Sequence, residues 1–253
     1  MARLILLLAF FGAGLACDSR SGSVCMSIVN NCPFTIWPGI LGPGNPAGGG
    51  FRLNAYESRD VQVQNGWTAG RIWARRGCDG SYNCDTGFCG NHLTCDGAGG
   101  EPPASLAEFT LNANGQDYYD VSLVDGYNLP VFIEPVQGTF NTNGGGYDCK
   151  RAGGCVQDLN DPSICPPELQ DIKHGQVVGC KSACLAFNTD YYCCRGAYST
   201  PDKCNSKDWP TNYPAIFKKA CPTAYSYAYD DTSSTFFCRG NGSPSPVYRI
   251  QFC

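Results

Sequence analysis

The stretch GSYNCDTGFCGNHLTC, residues 80–95, decides the fold of this chain. It holds Cys84, Cys89 and Cys95, and Cys78 stands just before it. Long apolar side chains are scarce between residues 78 and 103, so this segment has little material for a hydrophobic core of its own. Closely spaced cysteines in such a segment are typical of lobes held by disulfides. We therefore expect a small disulfide-rich lobe over residues 78–103.

Cysteines are abundant along the rest of the chain too, with 18 in 253 residues. Such a density of cysteines is typical of oxidising compartments, where thiols form disulfides instead of binding zinc. We expect no metal site and no cofactor. His92 and His174 are the only histidines, and no serine-hydrolase elbow or free catalytic thiol accompanies them. We interpret both as surface residues.

The N-terminus has the pattern of a secretory signal peptide. Arg3 precedes an apolar run from Leu4 to Phe11, and small residues follow as far as Ala16. A positive charge, a short apolar core and a small-residue site are the three parts of such a signal. We expect residues 1–16 to be removed and the protein to be secreted and extracellular. No later segment approaches the ~20 apolar residues of a transmembrane helix, so we expect no membrane anchor.

The composition favours strands and turns over long surface helices. Charged residues make up 16% of the chain, while Gly (31) and Pro (17) are frequent. The formal charge of −4 gives no bulk attraction for nucleic acid or for anionic membranes. A monomer is the default expectation. The sequence Asn241-Gly-Ser243 is a possible N-glycosylation site.

The order of apolar patterns predicts a β core with two cysteine-rich insertions. Strand-like segments occur at residues 27–37, 61–64, 70–74, 107–111, 118–124, 130–136, 235–238 and 247–253. Helical signals appear at residues 168–173 and 213–220. We expect the core to comprise residues 25–77, 104–155 and 222–253, with a helix-containing, disulfide-rich lobe over residues 156–221.

The cysteine stretch and other ordered motifs resemble the thaumatin-like protein family. The resemblance covers essentially the whole mature chain, with departures at Tyr82 and Phe88 of the opening stretch. The further matches are Ile28-Val-Asn-Asn-Cys32, Gly70-Arg-Ile-Trp73-Ala-Arg75, Ala107-Glu108-Phe109, Tyr119-Asp120-Val-Ser122, Asp125-Gly126-Tyr127-Asn128, Tyr192-Cys193-Cys194, Cys221-Pro222, Ala224-Tyr225-Ser226-Tyr227 and Phe252-Cys253. The resemblance implies a mainly β fold: a flattened β-sandwich core with two disulfide-rich insertions, the larger containing short helices.

The resemblance also implies a disulfide pairing that spacing alone does not give. The implied pairs are Cys32–Cys253, Cys78–Cys84, Cys89–Cys95, Cys149–Cys238, Cys155–Cys221, Cys165–Cys180, Cys184–Cys193 and Cys194–Cys204. Cys17 and Cys25 lie outside this set. If cleavage leaves Cys17, the two could form a ninth bridge, which we favour because secreted chains usually have an even count. If cleavage falls after Cys17, Cys25 is left odd and could link two chains.

Members of the family that act on fungal walls carry an arginine and four acids in a cleft between the core and the larger lobe. By this resemblance the corresponding residues are Arg71, Glu108, Asp120, Asp125 and Asp230, and Asp231 could substitute for Asp230. Tyr127, Tyr225 and Phe109 lie close to these acids in sequence and could offer flat apolar faces to sugars. Carboxylates accept hydrogen bonds from sugar hydroxyls, so the resemblance implies an antifungal defence protein that binds β-1,3-glucan.

Two alternatives stay open at this point. The first is weak endo-hydrolysis of the same glucan, since two carboxylates flanking a glycosidic bond can cleave it. Glu108 would then be the proton donor, and Asp120 or Asp125 the base or nucleophile. The second is a protein that inhibits a foreign hydrolase or contacts a receptor without any sugar ligand. Taken singly, each acid is also an ordinary surface or turn residue, as Asp125 before Gly126 shows.

Overall fold

The computed structural model describes Ser19 and residues 22–253. The predicted signal peptide, residues 1–16, lies outside the described residues, as does Cys17. The mainly β fold predicted from the sequence is confirmed, because two β-sheets of five and six strands account for the core. Among the described residues no helix is both long and apolar enough to cross a membrane.

The five-stranded sheet joins the two ends of the described chain. Its spatial order is β3-β1-β13-β7-β9, and β1 lies parallel to β13 whereas the other pairs are antiparallel. Its strands are β1 (Ser23–Asn30), β3 (Ser58–Gln64), β7 (Val131–Pro135), β9 (Ala152–Gly153) and β13 (Tyr248–Phe252). The strand predicted over residues 27–37 ends early, since the chain turns after Asn30, whose side-chain amide donates to the carbonyls of Phe34 and Leu53.

The six-stranded sheet is antiparallel and carries the candidate site. Its spatial order is β2-β4-β5-β6-β12-β8. The strands are β2 (Trp37–Leu41), β4 (Gly70–Arg75), β5 (Leu106–Thr110), β6 (Asp117–Ser122), β8 (Phe140–Asn141) and β12 (Phe236–Gly240). Because neighbouring side chains on a strand point to opposite faces, each of these strands presents one row inward and one row outward.

Aromatic rings fill the space between the two sheets. Phe109 and Tyr119 point inward from β5 and β6, with ring centroids 6.4 Å apart. Both rings lie 5.3 Å from Tyr248 of the opposite sheet, and all three side chains are buried. The inward rings therefore hold the acidic neighbours Glu108 and Asp120 on the outward face of the same strands.

The segment 78–103 covers one end of that outward face. Trp73 lies beneath it and donates from its indole to the carbonyl of Gly87 at 2.8 Å. Arg75 is fully buried and donates to the carbonyls of Trp37 and His92. Tyr82, where the sequence departs from the family, has φ +61°, in the left-handed region that glycine adopts without strain.

The segment 156–221 contains the helices and a third, two-stranded sheet. Its helices are α1 (Ala183–Phe187), α2 (Asp190–Cys193) and α3 (Tyr213–Ala220), and its strands are β10 (Gln170–Lys173) and β11 (Gln176–Cys180). The sequence predicts α3, whereas the helix predicted at residues 168–173 is wrong. Only one short 3₁₀ turn forms at Pro167–Leu169, because the following residues pair with β11 through a turn at His174 and Gly175.

Eight disulfides connect these parts, in the pairs that the resemblance implies. They are Cys32–Cys253, Cys78–Cys84, Cys89–Cys95, Cys149–Cys238, Cys155–Cys221, Cys165–Cys180, Cys184–Cys193 and Cys194–Cys204. Cys25 is buried and disulfide-bonded as well. The predicted Cys17–Cys25 bridge stays a prediction, since Cys17 lies outside the described residues.

Candidate functional site

Three predicted site residues form one row across the six-stranded sheet. Arg71 of β4 is directly opposite Glu108 of β5, and Glu108 is directly opposite Asp120 of β6. Directly opposed residues in antiparallel strands have β-carbons only about 5 Å apart. Backbone register therefore places the guanidinium and the two carboxyl groups side by side on the outward face.

The first contact in the row is an ion pair. Arg71 Nε lies 2.9 Å from Glu108 Oε1, with 46% and 27% of the two side chains exposed. Burial raises the pKa of Glu108, and nearby Asp125 raises it further, whereas Arg71 opposes both effects. Arg71 thus offsets part of the cost of placing several acids together.

Of the two acids in the row, Asp120 has the pKa that is shifted further from its ordinary value. Burial, followed by repulsion from Glu108 and Asp231, raises the pKa of Asp120 to about 8, and Arg71 offsets only part of this. The Asp120 carboxyl group is therefore mostly protonated at neutral pH. It can donate a hydrogen bond as well as accept one, unlike an ionised carboxylate.

The row forms the floor of an open cleft of about 550 Å³. Asp125 and Ser122 continue the floor, and Tyr225 and Ala228 form a wall. Tyr225 is held beside β6 because its backbone N–H donates to Val121 O at 2.8 Å. The cleft is lined by core strands and by the segment 225–228, and its lining residues Val124 and Ala228 also border a pocket formed by residues of the segment 156–221.

Asp230 is not among the residues that line this cleft, and its carboxylate accepts hydrogen bonds from neighbouring side chains and backbone. Its Oδ2 accepts from the backbone N–H and the hydroxyl of Ser226, at 3.0 and 2.8 Å, and lies 2.9 Å from Lys218 Nζ. Its Oδ1 accepts from the Ser233 hydroxyl at 3.2 Å. Only 16% of the side chain is exposed. These four contacts tie Asp230 to its own segment and to Lys218, and its predicted role in ligand binding stays a prediction.

Asp231 contacts a residue that lines the cleft. The Tyr225 hydroxyl donates to Asp231 Oδ1 at 2.8 Å, and Tyr225 lines the cleft. Asp231 also contributes to the raised pKa of Asp120, which places the two carboxyl groups within electrostatic reach. The structure therefore brings together Arg71, Glu108, Asp120 and Asp125 at the cleft, whereas the part of Asp230 or Asp231 in the site stays a prediction.

The aromatic residues at the cleft are only partly those suggested by sequence proximity. Phe109 and Tyr127 are buried, and the Tyr127 hydroxyl donates to Asp158 at 3.0 Å. Tyr225 lines the cleft, and Tyr118, which the sequence reading missed, is 40% exposed beside the acid row. The signal for Tyr118 was available, since it precedes Asp120 by two residues and so shares its face of the strand.

The remaining predicted features lie apart from this cleft. His92 and His174 are exposed, and His174 Nε2 lies 3.3 Å from Asp85 Oδ1. Within the part of the chain that the structure describes, no cluster of three or more His, Cys, Asp or Glu residues could hold a metal ion. Asn241 is exposed at the end of β12, and its glycosylation stays a prediction.

Comparisons with known proteins agree with the motifs. Residues 30–253 match the thaumatin family. Pathogenesis-related protein 5 of Arabidopsis thaliana is 49% identical over 256 residues, covering 98% of this chain and 96% of the relative. A protein of Prunus avium named glucan endo-1,3-beta-glucosidase is 44% identical over 90% of this chain and 89% of its own. The fold also resembles a solved structure, the laminaripentaose-producing β-1,3-glucanase of family GH64 from Paenibacillus barengoltzii. The match covers 96% of this chain and 78% of that structure, with a TM-score of 0.57. Because the two sequences are only 14% identical, this likeness concerns the fold alone.

Proposed function

The chain belongs to the thaumatin family, and from that premise we propose that it is a secreted defence protein whose acidic cleft binds the β-1,3-glucan of fungal cell walls. The observation that carries the proposal is the row Arg71–Glu108–Asp120, set in register on the outward face of the sheet. Asp125, Asp231 and Tyr225 surround it at an open cleft.

The chemistry of the cleft suits a neutral polysaccharide. Glu108 accepts hydrogen bonds from hydroxyl groups, whereas the protonated Asp120 can also donate one. The exposed rings of Tyr118 and Tyr225 offer apolar faces to the C–H surfaces of sugars. A polyanion would be repelled by the carboxylates, and Arg71 is already paired with Glu108. A chain of neutral sugars meets neither obstacle.

Two further observations support the biological setting. The named relatives include a pathogenesis-related protein and a glucan endo-1,3-beta-glucosidase. The density of disulfides and the N-terminal signal pattern favour export to an oxidising space. Secretion and a target in the fungal wall are both parts of the proposal.

Binding of the disulfide-intact protein to insoluble β-1,3-glucan tests the proposal. Glu108→Gln keeps the shape but removes the partner of Arg71, so we expect the affinity to fall at least about tenfold, as for loss of a charged hydrogen bond. Glu134→Gln is the matched control, because Glu134 of β7 is directly opposite Arg249 on the other sheet. Wild-type protein that stays in the supernatant when it is mixed with the insoluble glucan would contradict the proposal.

Hydrolysis of the same glucan is a second candidate, favoured by the raised pKa of Asp120. A carboxyl group that keeps its proton at neutral pH next to a second carboxylate is the arrangement of a glycosidase acid and its partner. In this reading Asp120 donates the proton, and Glu108, ion-paired with Arg71, acts as base or nucleophile. The roles are thus the reverse of the sequence-based expectation, in which Glu108 donates.

Release of reducing ends from soluble β-1,3-glucan distinguishes catalysis from binding alone. An enzyme should lose release in both Asp120→Asn and Glu108→Gln, while Glu134→Gln keeps it. Wild-type protein that binds the glucan but releases no ends would restrict the cleft to binding.

A further inference from the structure

The outward face of the six-stranded sheet continues beyond the acid row. Two residues before Asp120 on β6, Tyr118 shares its face, about 7 Å away along the strand. Gln116 lies just before the first residue of β6. The face therefore extends well past the length of the acid row.

Neighbouring strands extend these positions into two further rows. Tyr118 is directly opposite Thr110 on one side and Phe237 on the other. Below it, Arg239 Nε donates to Gln116 Oε1 at 3.2 Å, and Arg239 is directly opposite Asn141 of β8. One row is thus partly aromatic, and the next consists of amides and a guanidinium.

Both rows are recessed. A depression of about 490 Å³ includes Arg71, Glu108 and Tyr118, so it begins at the acid row. A second depression of about 730 Å³ is lined by Gln116, Asn141, Asn143, Asp148, Phe237, Arg239 and Gly240. Tyr118 lines the first depression and Phe237 lines the second. Because these two residues are directly opposite each other on neighbouring strands, they connect the two depressions.

The second depression has polar groups that are available to a ligand, although its carboxylate, Asp148, already accepts from Thr142 and from the backbone N–H of Asn143. Among residues 22–253, the contact with Gln116 is the one hydrogen bond of the Arg239 side chain, and the amide groups of Asn141 and Asn143 have none. In the same part of the chain, neither Tyr118 nor Phe237 takes part in a ring–ring contact, and Tyr118 is 40% exposed. Unoccupied amides beside accessible rings are the combination that binds sugar hydroxyls and sugar faces.

We propose that Gln116, Tyr118, Asn141, Asn143, Phe237 and Arg239 form a second subsite, the distal subsite, which binds later sugar units of the same neutral β-1,3-glucan chain. This proposal rests on the proposed function. The glucan chain leaves the acid row along Tyr118, crosses the aromatic pair, and is held by the amides and Arg239. The carboxylates of the acid row exclude a polyanion from this path, so the distal subsite serves a neutral chain.

Calorimetric titration with β-1,3-linked disaccharide and hexasaccharide tests the distal subsite. Arg239→Gln should weaken hexasaccharide binding about tenfold, since a charged hydrogen bond is lost, and should change disaccharide binding less than about twofold. Arg249→Gln is the matched control, because Arg249 is exposed on the other sheet and also contacts a glutamine, Gln251. Tyr118→Ala should weaken hexasaccharide binding as well, against Tyr56→Ala, whose side chain is 71% exposed on a turn.

Each outcome decides between the two proposals. If the wild-type protein binds the hexasaccharide and Arg239→Gln and Tyr118→Ala bind it equally well, the distal subsite is refuted while the proposed function stands. If the wild-type protein binds neither oligosaccharide nor the polymer, the proposed function fails and the distal subsite fails with it. Thermal melting of all four variants near the wild-type temperature shows that a loss of affinity is not a loss of fold.

Discussion

Lys218 is the residue on which the wall of the cleft depends most. Its ammonium group, on α3, donates to Ala224 O and Ser234 Oγ at 2.8 Å each and lies 2.9 Å from Asp230 Oδ2. These contacts tie both ends of the segment 224–234, which carries Tyr225 and Asp231, to the helix. Lys218→Met keeps an unbranched side chain one atom shorter and removes all three contacts at once.

The expected destabilisation follows from the orphaned Asp230. Breaking a buried ion pair by removing one partner costs about 3–5 kcal/mol. The Lys218 and Asp230 side chains keep 25% and 16% exposure, so some water reaches them and we take the lower end, about 3 kcal/mol. For a chain of this size, that loss lowers the melting temperature by roughly 6–12 °C.

Thermal unfolding of the disulfide-intact protein at neutral pH measures this loss. Lys219→Met is the matched control, since Lys219 is the exposed neighbour on the same helix and should change stability by less than about 0.5 kcal/mol. The double variant Lys218→Met/Asp230→Asn removes the unpaired charge and should recover part of the loss. Equal melting temperatures for Lys218→Met and Lys219→Met would refute the structural role given to Asp230.

Two further predictions concern pH and the disulfides. The folded protein raises the pKa of Asp120 to about 8, so the native state keeps a proton that the unfolded chain releases near pH 4. Asp120 therefore makes the fold less stable as the pH rises from about 4 to about 8. The contribution of Asp120 to the free energy of unfolding should fall by at most about 1.4 kcal/mol per pH unit in this window. The decrease of stability with pH should therefore be less steep in Asp120→Asn than in the wild-type protein. Equal slopes for the two proteins in urea titrations from about pH 5 to about pH 8 would contradict the raised pKa of Asp120. Replacing both members of Cys32–Cys253, which are 221 residues apart, should cost about 5 kcal/mol by the loop-entropy estimate, against about 2 kcal/mol for Cys89–Cys95, which are 6 apart. Equal losses in denaturant unfolding would show that loop length does not control the contribution of these bridges.

Much of the fold could be predicted from the sequence because its signals are local. Alternation along β5 and β6 places Glu108 and Asp120 on the face opposite Phe109 and Tyr119, and it argues against the expectation from sequence proximity that Phe109 faces a sugar. The helix at Tyr213–Ala220 begins after the capping Asn212 with proline in its first turn, both of which are readable in the chain. The helix predicted at residues 168–173 failed because pairing with β11 outweighs the local propensity.

Residue types and their spacing along the chain determined the disulfide-rich β architecture, whereas Arg71, Glu108, Asp120 and Asp125 followed from the resemblance to the family. Only the tertiary structure shows that Asp230 and Asp231 have different partners. The two acids are adjacent and chemically identical, and what separates them is that Lys218, 12 residues earlier on α3, pairs with one of them. The path from Asp120 past Tyr118 to Arg239 was decided in the same way, because strands far apart in the chain become neighbours only when the sheet forms. Local patterns carry strand periodicity, whereas contacts between distant segments depend on how the whole chain packs.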